Sequence, residues 1–392
     1  MQRVLTNPRP AWQRAVEKVG LSFHTLDDGK PYWEERAYYQ FSADEIDTLE
    51  AATEELTARC REAAQWVIEH GAFELFGLTQ PWIDLIRASW ERREPALLGR
   101  FDFSWGGEAS GVAPKLLEFN ADTPTALLEA AVAQWYWLQD RFPGEDQFNS
   151  LHERLVARWR ELDLAGRGPV HFTCLRGSAE DEMTVTYLRD TALQAGLEGE
   201  FLFIEDIGAR EATAEFFDAS NRPIRTLCKL YPWEWLVRDR YGALLPRTAL
   251  RLIEPIWKML WSNKAILGVL WHLFPEHPNL LPAAFEPEKL PAASTQAGVV
   301  RKPLLGREGA NIEITQPGRS VALASRGGPY AEAAARYVYQ AFQPLPDFDW
   351  RRPVIGSWII GEHAAGIGIR EGDGPITDNR SRFVPHVFTP RG

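Results

Sequence analysis

The residue types that can do chemistry in this chain concentrate in two short runs, Arg100-Phe-Asp-Phe103 and Lys115-Leu-Leu-Glu-Phe-Asn-Ala-Asp-Thr-Pro-Thr125. In an extended strand, residues two apart share a face. Arg100 and Asp102 therefore point one way and Phe101 and Phe103 the other; Glu118 and Asn120 likewise share a face opposite Leu117 and Phe119. The stretch from Ser104 to Ala113 is glycine-rich, as the loop of a long hairpin would be. If the strands pair, one side is apolar and the other gathers Arg100, Asp102, Glu118 and Asn120. Oxygen donors beside a single guanidinium suit a hard cation that holds polyphosphate, and do not suit zinc. Thr123-Pro124 reads as an N-cap with proline at the first helical position, and a helix start aimed at the cluster would offer N–H groups to an anion. A polar strand face is most often simply solvated, and spacing alone leaves that reading open. Asn120 and Asp122 stand where a plain strand prefers Thr, Val or Ile, which favours the functional reading.

Further chemistry lies downstream. Gly298-Val-Val-Arg-Lys302 reads as a strand entering Pro303-Leu-Leu-Gly-Arg-Glu-Gly-Ala-Asn311, from which Ile312 to Ile314 leaves as another. A strand, a glycine-rich turn and a returning strand make a flap whose N–H groups can cover phosphates, with Lys302 in reach; an ordinary hairpin with a basic residue is the alternative. Lys264 follows Trp261-Ser-Asn263 at a helix start, and Arg370 ends the apolar strand Ile367–Ile369. A guanidinium fixed at a strand end suits negative charge on a transferring phosphoryl group. There is no P-loop motif, no G-x-S-x-G elbow and no H-E-x-x-H. His272 and His277 read as structural.

The elements that must position these residues are legible from periodicity. Residues 1–40 lack a clear period and read as an irregular arm. Ser42-Ala-Asp-Glu45 is a capping box that opens a helix ending at Gly71. Pro81 opens a second helix. Pro169 to Leu175, a helix from Met183 to Gly196, and Glu200 to Ile204 make a βαβ unit with parallel strands. Phe216-Phe217 and Ile224 to Tyr231 read as an antiparallel addition. Helical segments run through Trp257 and over Asn263 to Phe274. Tyr330 to Phe342 reads as a helix, and Val354 to Ile360 pairs with Ala365 to Ile369.

At 392 residues the chain should hold two or three packed subdomains. Its formal charge of -11 argues against a general binder of nucleic acid or anionic membrane. Cys60, Cys174 and Cys228 are far apart in sequence, which fits a reducing cytoplasm better than a disulfide framework. No apolar run approaches a membrane span and no signal-peptide core opens the chain, so a cytoplasmic location is expected. Sixteen tryptophans would serve buried packing or, on a rival reading, a carbohydrate-stacking surface.

Taken together, Arg100-Phe-Asp-Phe103, Leu117-Glu-Phe-Asn-Ala-Asp122, Asn263-Lys-Ala-Ile-Leu267, Lys302-Pro-Leu-Leu-Gly-Arg-Glu-Gly-Ala-Asn311 and Gly366-Ile-Gly-Ile-Arg370 resemble, in order and rough spacing, the synthetase portion of the glutathionylspermidine synthase family. The resemblance implies a mixed α/β ATP-grasp fold with an associated pre-ATP-grasp-like α/β subdomain and N-terminal helices. The expected divisions are an arm over 1–40, helices and the pre-ATP-grasp-like region over 41–290 carrying the 100–125 strands, and a nucleotide-binding region over 291–392 with its flap at 302–312. It also implies ATP and Mg2+ as cofactors. Asp102, Glu118 and Asn120 would bind the magnesium. Arg100, Lys264, Lys302, Glu308, Gly309, Gln340, Ala341, Phe342 and Ile376 would contact ATP. Arg100 and Arg370 would orient an acyl phosphate and its attack by an amine. Thr123, Thr125, Asp181, Glu182 and Glu234 match positions near the family's glutathione and polyamine sites, although the threonines replace serines and Leu230 replaces a hydrogen-bonding threonine. The acidic run Glu180-Asp-Glu182 reads equally as a negatively charged first helical turn.

The implied activity is an ATP- and Mg-dependent ligase that joins a peptide-like carboxylate to an amine or polyamine through an acyl phosphate. The family's bifunctional members add an amidase domain, for which this length leaves no room, so the ligase half alone is expected. The alternative is a catalytically silent nucleotide-binding protein of the same fold that acts through a partner. The expected partners are small molecules or peptides, with no nucleic acid and no membrane.

Overall fold

The computed structural model describes residues 1–390 apart from 165, 308, 319–321, 324–335 and 379. Its centre is a five-stranded antiparallel sheet in the order Arg382–Val384, His363–Gly372, Arg352–Ile360, Leu98–Ser104 and Lys115–Asn120. The expected hairpin forms: Arg100 pairs with Asn120 and Asp102 with Glu118, with a bulge after Asp102. The other edge of Leu98–Ser104 pairs with Arg352–Ile360, placing Gly356 opposite Asp102 and Trp358 opposite Arg100. The expected pairing of Val354–Ile360 with the strand after Gly361 is also present.

The helix Ala43–His70 backs this sheet. Its capping box is complete, with Ser42 and Glu45 bonding each other's backbone, and Gly71 ends it in the left-handed region that glycine tolerates. Thr53 ties it to the sheet through Ser357 at 2.7 Å. A second, parallel sheet runs Arg251–Ile253, Thr226–Leu230, Val170–Cys174 and Gly199–Phe203. It contains the expected βαβ unit, with the helix Ala179–Gln194 beginning earlier than its apolar spacing suggests. The third sheet, Ala283–Ala284, Tyr337–Ala341, Val299–Pro303, Glu313–Thr315 and Ala322–Leu323, carries the expected flap strands.

Several expectations are corrected. Residues 1–40 are irregular only in part: Gln2–Leu5 pairs with Ala37–Ser42, which pairs in turn with His386–Thr389, and Trp12–Glu17 is a short helix. Thr123-Pro124 does not start a helix. Ala126 adopts a left-handed backbone, the helical stretch opens only at Leu127, and it passes through a π-turn over Glu129–Ala133. Tyr337–Ala341 is a strand, because its register against Val299–Pro303 satisfies the backbone that a helix would have satisfied internally; the first part of that expected helix lies outside the described residues. The expected antiparallel addition is present where Phe216–Phe217 pairs with Pro223–Ile224, but Thr226–Leu230 instead joins the parallel sheet between Val170–Cys174 and Arg251–Ile253. Among the described residues no helix is long and apolar enough to cross a membrane.

Candidate active site

The sheet positions the charged cluster through its alternation. Phe101 stacks on Phe119 on the apolar side, with ring centroids 3.9 Å apart. On the other side Arg100 is buried and donates from Nε to Asp102 Oδ1 at 2.7 Å, from Nη2 to Asp102 Oδ2 at 3.1 Å, and from Nη1 to the Thr125 carbonyl at 2.7 Å. Asn120 Nδ2 lies 3.1 Å from Asp102 Oδ2 and 3.4 Å from Glu118 Oε1, so one amide bridges both carboxylates. Lys264 Nζ stands 3.3 Å from Glu118 Oε2 and donates to the Gly306 carbonyl at 2.9 Å. Lys302 is buried and donates to the Leu117 carbonyl and to Gln340 Oε1, both at 2.7 Å. Each lysine thus joins the Lys115–Asn120 strand to the segment that holds the expected flap.

The electrostatics follow from this crowding. Burial would raise the Glu118 carboxyl, but Lys264, Lys302 and Arg100 outweigh it and hold the group down to about 2. Lys302 is pushed down to about 8 by burial, against the pull of Glu118 and aided by the like charge of Lys264. Asp102 is raised, first by burial and then by Glu118, with Arg100 opposing. Arg100, Lys264 and Lys302 outnumber Asp102 and Glu118, so the cluster carries a positive excess toward a polyanion.

Two cavities meet at this cluster. One is an apolar slot walled by Val300, Ile312, Ile314, Phe342 and Ile376, with Lys302 and Gln340 at its polar end; Gly309 and Ala341 also line it. The other is a polar pocket lined by Arg100, Asn120, Thr123, Thr125, Glu234, Lys264 and Arg370. Asp102, Glu118, Gly309 and Thr377 line both. Arg370 donates from Nη2 to the Asp378 carbonyl, while among the described residues its Nε and the Thr377 hydroxyl are buried without a hydrogen-bond partner. Both are donors at the junction of the two cavities, where an anion's oxygens could accept from them.

The structure thus brings Arg100, Asp102, Glu118, Asn120, Thr123, Thr125, Glu234, Lys264, Lys302, Gly309, Gln340, Ala341, Phe342, Ile376 and Arg370 around one junction. Glu308 lies outside the described residues. Asp181 and Glu182 do not line the polar pocket. Asp181 is buried in the first turn of its helix, where Ser178 caps its N–H, and Glu182 folds back toward the Gly177 N–H; Glu180 lines the pocket instead.

Some residues that build the site carry little sequence signal. Asp122 accepts from Lys229 Nζ at 2.7 Å and from the Trp233 N–H at 2.8 Å. Lys258, wholly buried, donates to the Leu98 and Ala121 carbonyls and pairs with Glu254 at 2.8 Å, while Glu254 accepts from the Leu98 N–H. These buried pairs pin the entry to one site strand and the exit from the other. Removing one member of such a pair costs about 3–5 kcal/mol. Glu129, inside the π-turn, accepts from Tyr32 Oη at 2.8 Å and is raised to about 7 by burial and by Glu180. Only a residue type out of keeping with its apolar surroundings, such as Lys258 beside Trp257, hints at these roles.

Comparisons with known proteins give the chain its relatives. The family model described as glutathionylspermidine synthase preATP-grasp matches residues 3–389. A protein of Haemophilus influenzae, provisionally named an acid–amine ligase, is 41% identical over the full length of both chains. Trypanothione synthetase of Crithidia fasciculata is 29% identical over 82% of this chain and 52% of its own length. The bifunctional glutathionylspermidine synthetase/amidase of Escherichia coli is 26% identical over 90% of this chain and 60% of its own length. The chain therefore spans about half to three-fifths of those two longer relatives. In fold it is similar to a glutathione synthetase-like effector from Globodera pallida, with a TM-score of 0.58 at 9% identity over 98% of each chain. The chain belongs to the glutathionylspermidine synthase family, and so to the ATP-dependent carboxylate–amine ligases of ATP-grasp fold.

Proposed function

We propose that this chain condenses a peptide-like carboxylate with an amine or polyamine at the junction of the two cavities, by way of an acyl phosphate. The observation that carries this reading is that Asp102, Glu118, Gly309 and Thr377 border both the apolar slot and the polar pocket. A flat base fits the slot, a phosphate chain would run past Lys302 and Lys264, and its terminal phosphoryl group would arrive where the pocket begins. A carboxylate held near Thr123 and Thr125 attacks that phosphorus through its oxygen, and the bond to ADP breaks. The amine nitrogen then attacks the acyl carbon, forming the amide as inorganic phosphate leaves and the nitrogen sheds a proton.

The residues supply position and charge more than covalent chemistry, which suits phosphoryl transfer. Arg100 and Arg370 face the region where charge develops on the transferring group. Glu180 and Glu234 give the pocket the acidic lining that a cationic amine needs. Two carboxylates and an amide fit Mg2+, which takes few protein ligands and leaves room for phosphate oxygens. Asp102, Glu118 and Asn120 would hold it, with Asn120 turning its amide oxygen inward. When bound, the ion would neutralise phosphate charge. A cytoplasmic setting belongs to the same proposal: Cys60, Cys174 and Cys228 are free, buried thiols.

The test is ADP release from purified protein with magnesium and ATP, on adding pooled amines and peptides, with mass detection of a condensed product. A new product whose mass equals acid plus amine less water supports the proposal. ATP binding with no ADP release for any pairing overturns it in favour of a silent nucleotide-binding protein.

A further inference from the structure

On another part of the surface, a cleft has a volume of about 1040 Å³. Its walls come from Arg61–Glu69 of the long helix, the Trp90–Ala96 segment, Leu273-Phe274 and the Gly361-Glu362 turn. None of its lining residues lines the slot or the polar pocket.

The walls have a definite chemistry. Trp257 and Trp261 are buried and form the floor, while Trp66 and Trp90 are half-buried and leave part of each ring to the cleft. The rings are held firmly. Trp90 meets Trp257 edge to face at 5.3 Å, Trp257 meets Trp261 at 4.6 Å, and Trp90 Nε1 donates to Gln65 Oε1 at 2.6 Å. Five glutamates line the cleft against three arginines, and three of the glutamates are ion-paired: Glu62 with Arg59, Glu94 with Arg92 and Glu362 with Arg61. Two of those arginines are occupied: Arg158 donates to the Ala96 carbonyl and Glu161, and Arg61 pairs with Glu362. Among the described residues Glu69 receives only the Gln65 amide, and Glu91 has no partner. Rigid indole faces beside carboxylates without cationic partners recognise a positive charge on an apolar stem, since the rings attract the cation and the acids neutralise it.

We propose that this cleft is a second binding site, for an organic cation of the ammonium class carried on an apolar stem. The site is separate from the pocket that would take the amine to be ligated. Its floor belongs to the segment that delivers Ser262 and Lys264 to the active site, because Trp261 immediately precedes them. Trp261 also packs on Phe119 at 5.3 Å, and Phe119 lies between Glu118 and Asn120. The intrinsic fluorescence of this tryptophan cluster is therefore a direct reporter of occupancy.

The test is calorimetric titration of the full chain with 4-phenylbutylammonium, compared with 4-phenylbutan-1-ol and 4-phenylbutyrate, which share the stem. The ammonium should bind saturably, quench or shift tryptophan fluorescence, and bind at least about tenfold more tightly than the other two. The double variant Glu69→Gln/Glu91→Gln removes two exposed charges without touching the core and should weaken binding about tenfold. Trp90→Leu should do the same, with its melting temperature reporting whether the fold persists. Equal affinity for the alcohol, unchanged binding by the double variant, or loss of binding on Glu234→Gln alone would each overturn the proposal. The measurement reads heat and fluorescence without turnover, so its failure leaves the ligase proposal standing.

Discussion

Gly356 packs against the side chain of Arg100 so closely that a Cβ at this position would stand 2.8 Å from Arg100 Cδ and 3.2 Å from Nε. On the same strand, Trp358 lies under the guanidinium at 5.7 Å. The arginine is thus held between a bare backbone and an indole, with Asp102 fixing its remaining direction. Gly356→Ala should displace the guanidinium and lower ADP release at least about tenfold, since small misplacements at a positioned group are costly. Gly144→Ala, whose Cβ meets nothing within 4 Å, should leave the rate unchanged. Comparing the two variants in one ADP-release assay checks this.

Asp102 and Glu118 should respond differently to substitution. Asp102→Ala leaves the buried Arg100 without its counter-charge, a loss of about 3–5 kcal/mol, and should lower the melting temperature as well as the rate. Glu118 is less buried and meets Lys264 at 3.3 Å, so Glu118→Gln should reduce ADP release about 100-fold with a much smaller thermal shift. Calorimetric melting alongside kinetics separates the two.

Lys302 gives a pH signature. With its group pushed down to about 8, the free protein loses this charge as pH rises through that value. A bound phosphate favours the charged form and raises the group again. ATP binding should therefore take up a proton between about pH 8 and pH 10, and affinity should fall with rising pH across that window. Titrations in buffers of different ionisation enthalpy will show uptake; proton release in that range would contradict it.

Among the acids at the start of the Ala179–Gln194 helix, only Glu180 lines the polar pocket. Glu180→Gln should raise KM for the amine about tenfold while leaving that for ATP within about twofold, as expected for one charge contact near a partly exposed site. Glu182→Gln should change neither. Steady-state kinetics on the amine identified by the product screen decide the matter.

The strand pair and its polar face were legible in the sequence because period-two alternation and a glycine-rich loop are local signals. The flap strands and the capped helix were legible for the same reason. The π-turn was not, since Thr123-Pro124 carries a helix-start signature that the left-handed Ala126 overrides. The segment over 330–342 is rich in alanine and suggests a helix, yet Tyr337–Ala341 is claimed by a neighbouring strand in the folded protein. Ion pairs such as Asp122 with Lys229 and Glu254 with Lys258 leave no local trace, because what they do depends on groups brought from far along the chain, such as the Leu98 carbonyl.

The Leu98–Ser104 strand hydrogen-bonds on one side to Lys115–Asn120 and on the other to Arg352–Ile360, some 250 positions later. A ribosome delivers the first neighbour within seconds and the second only near the end of synthesis. Until then one flank of the strand bearing Arg100 is an open edge that invites wrong pairing. Messages cut short before codon 352 should accordingly yield polypeptides that aggregate and bind chaperones more than the full chain does.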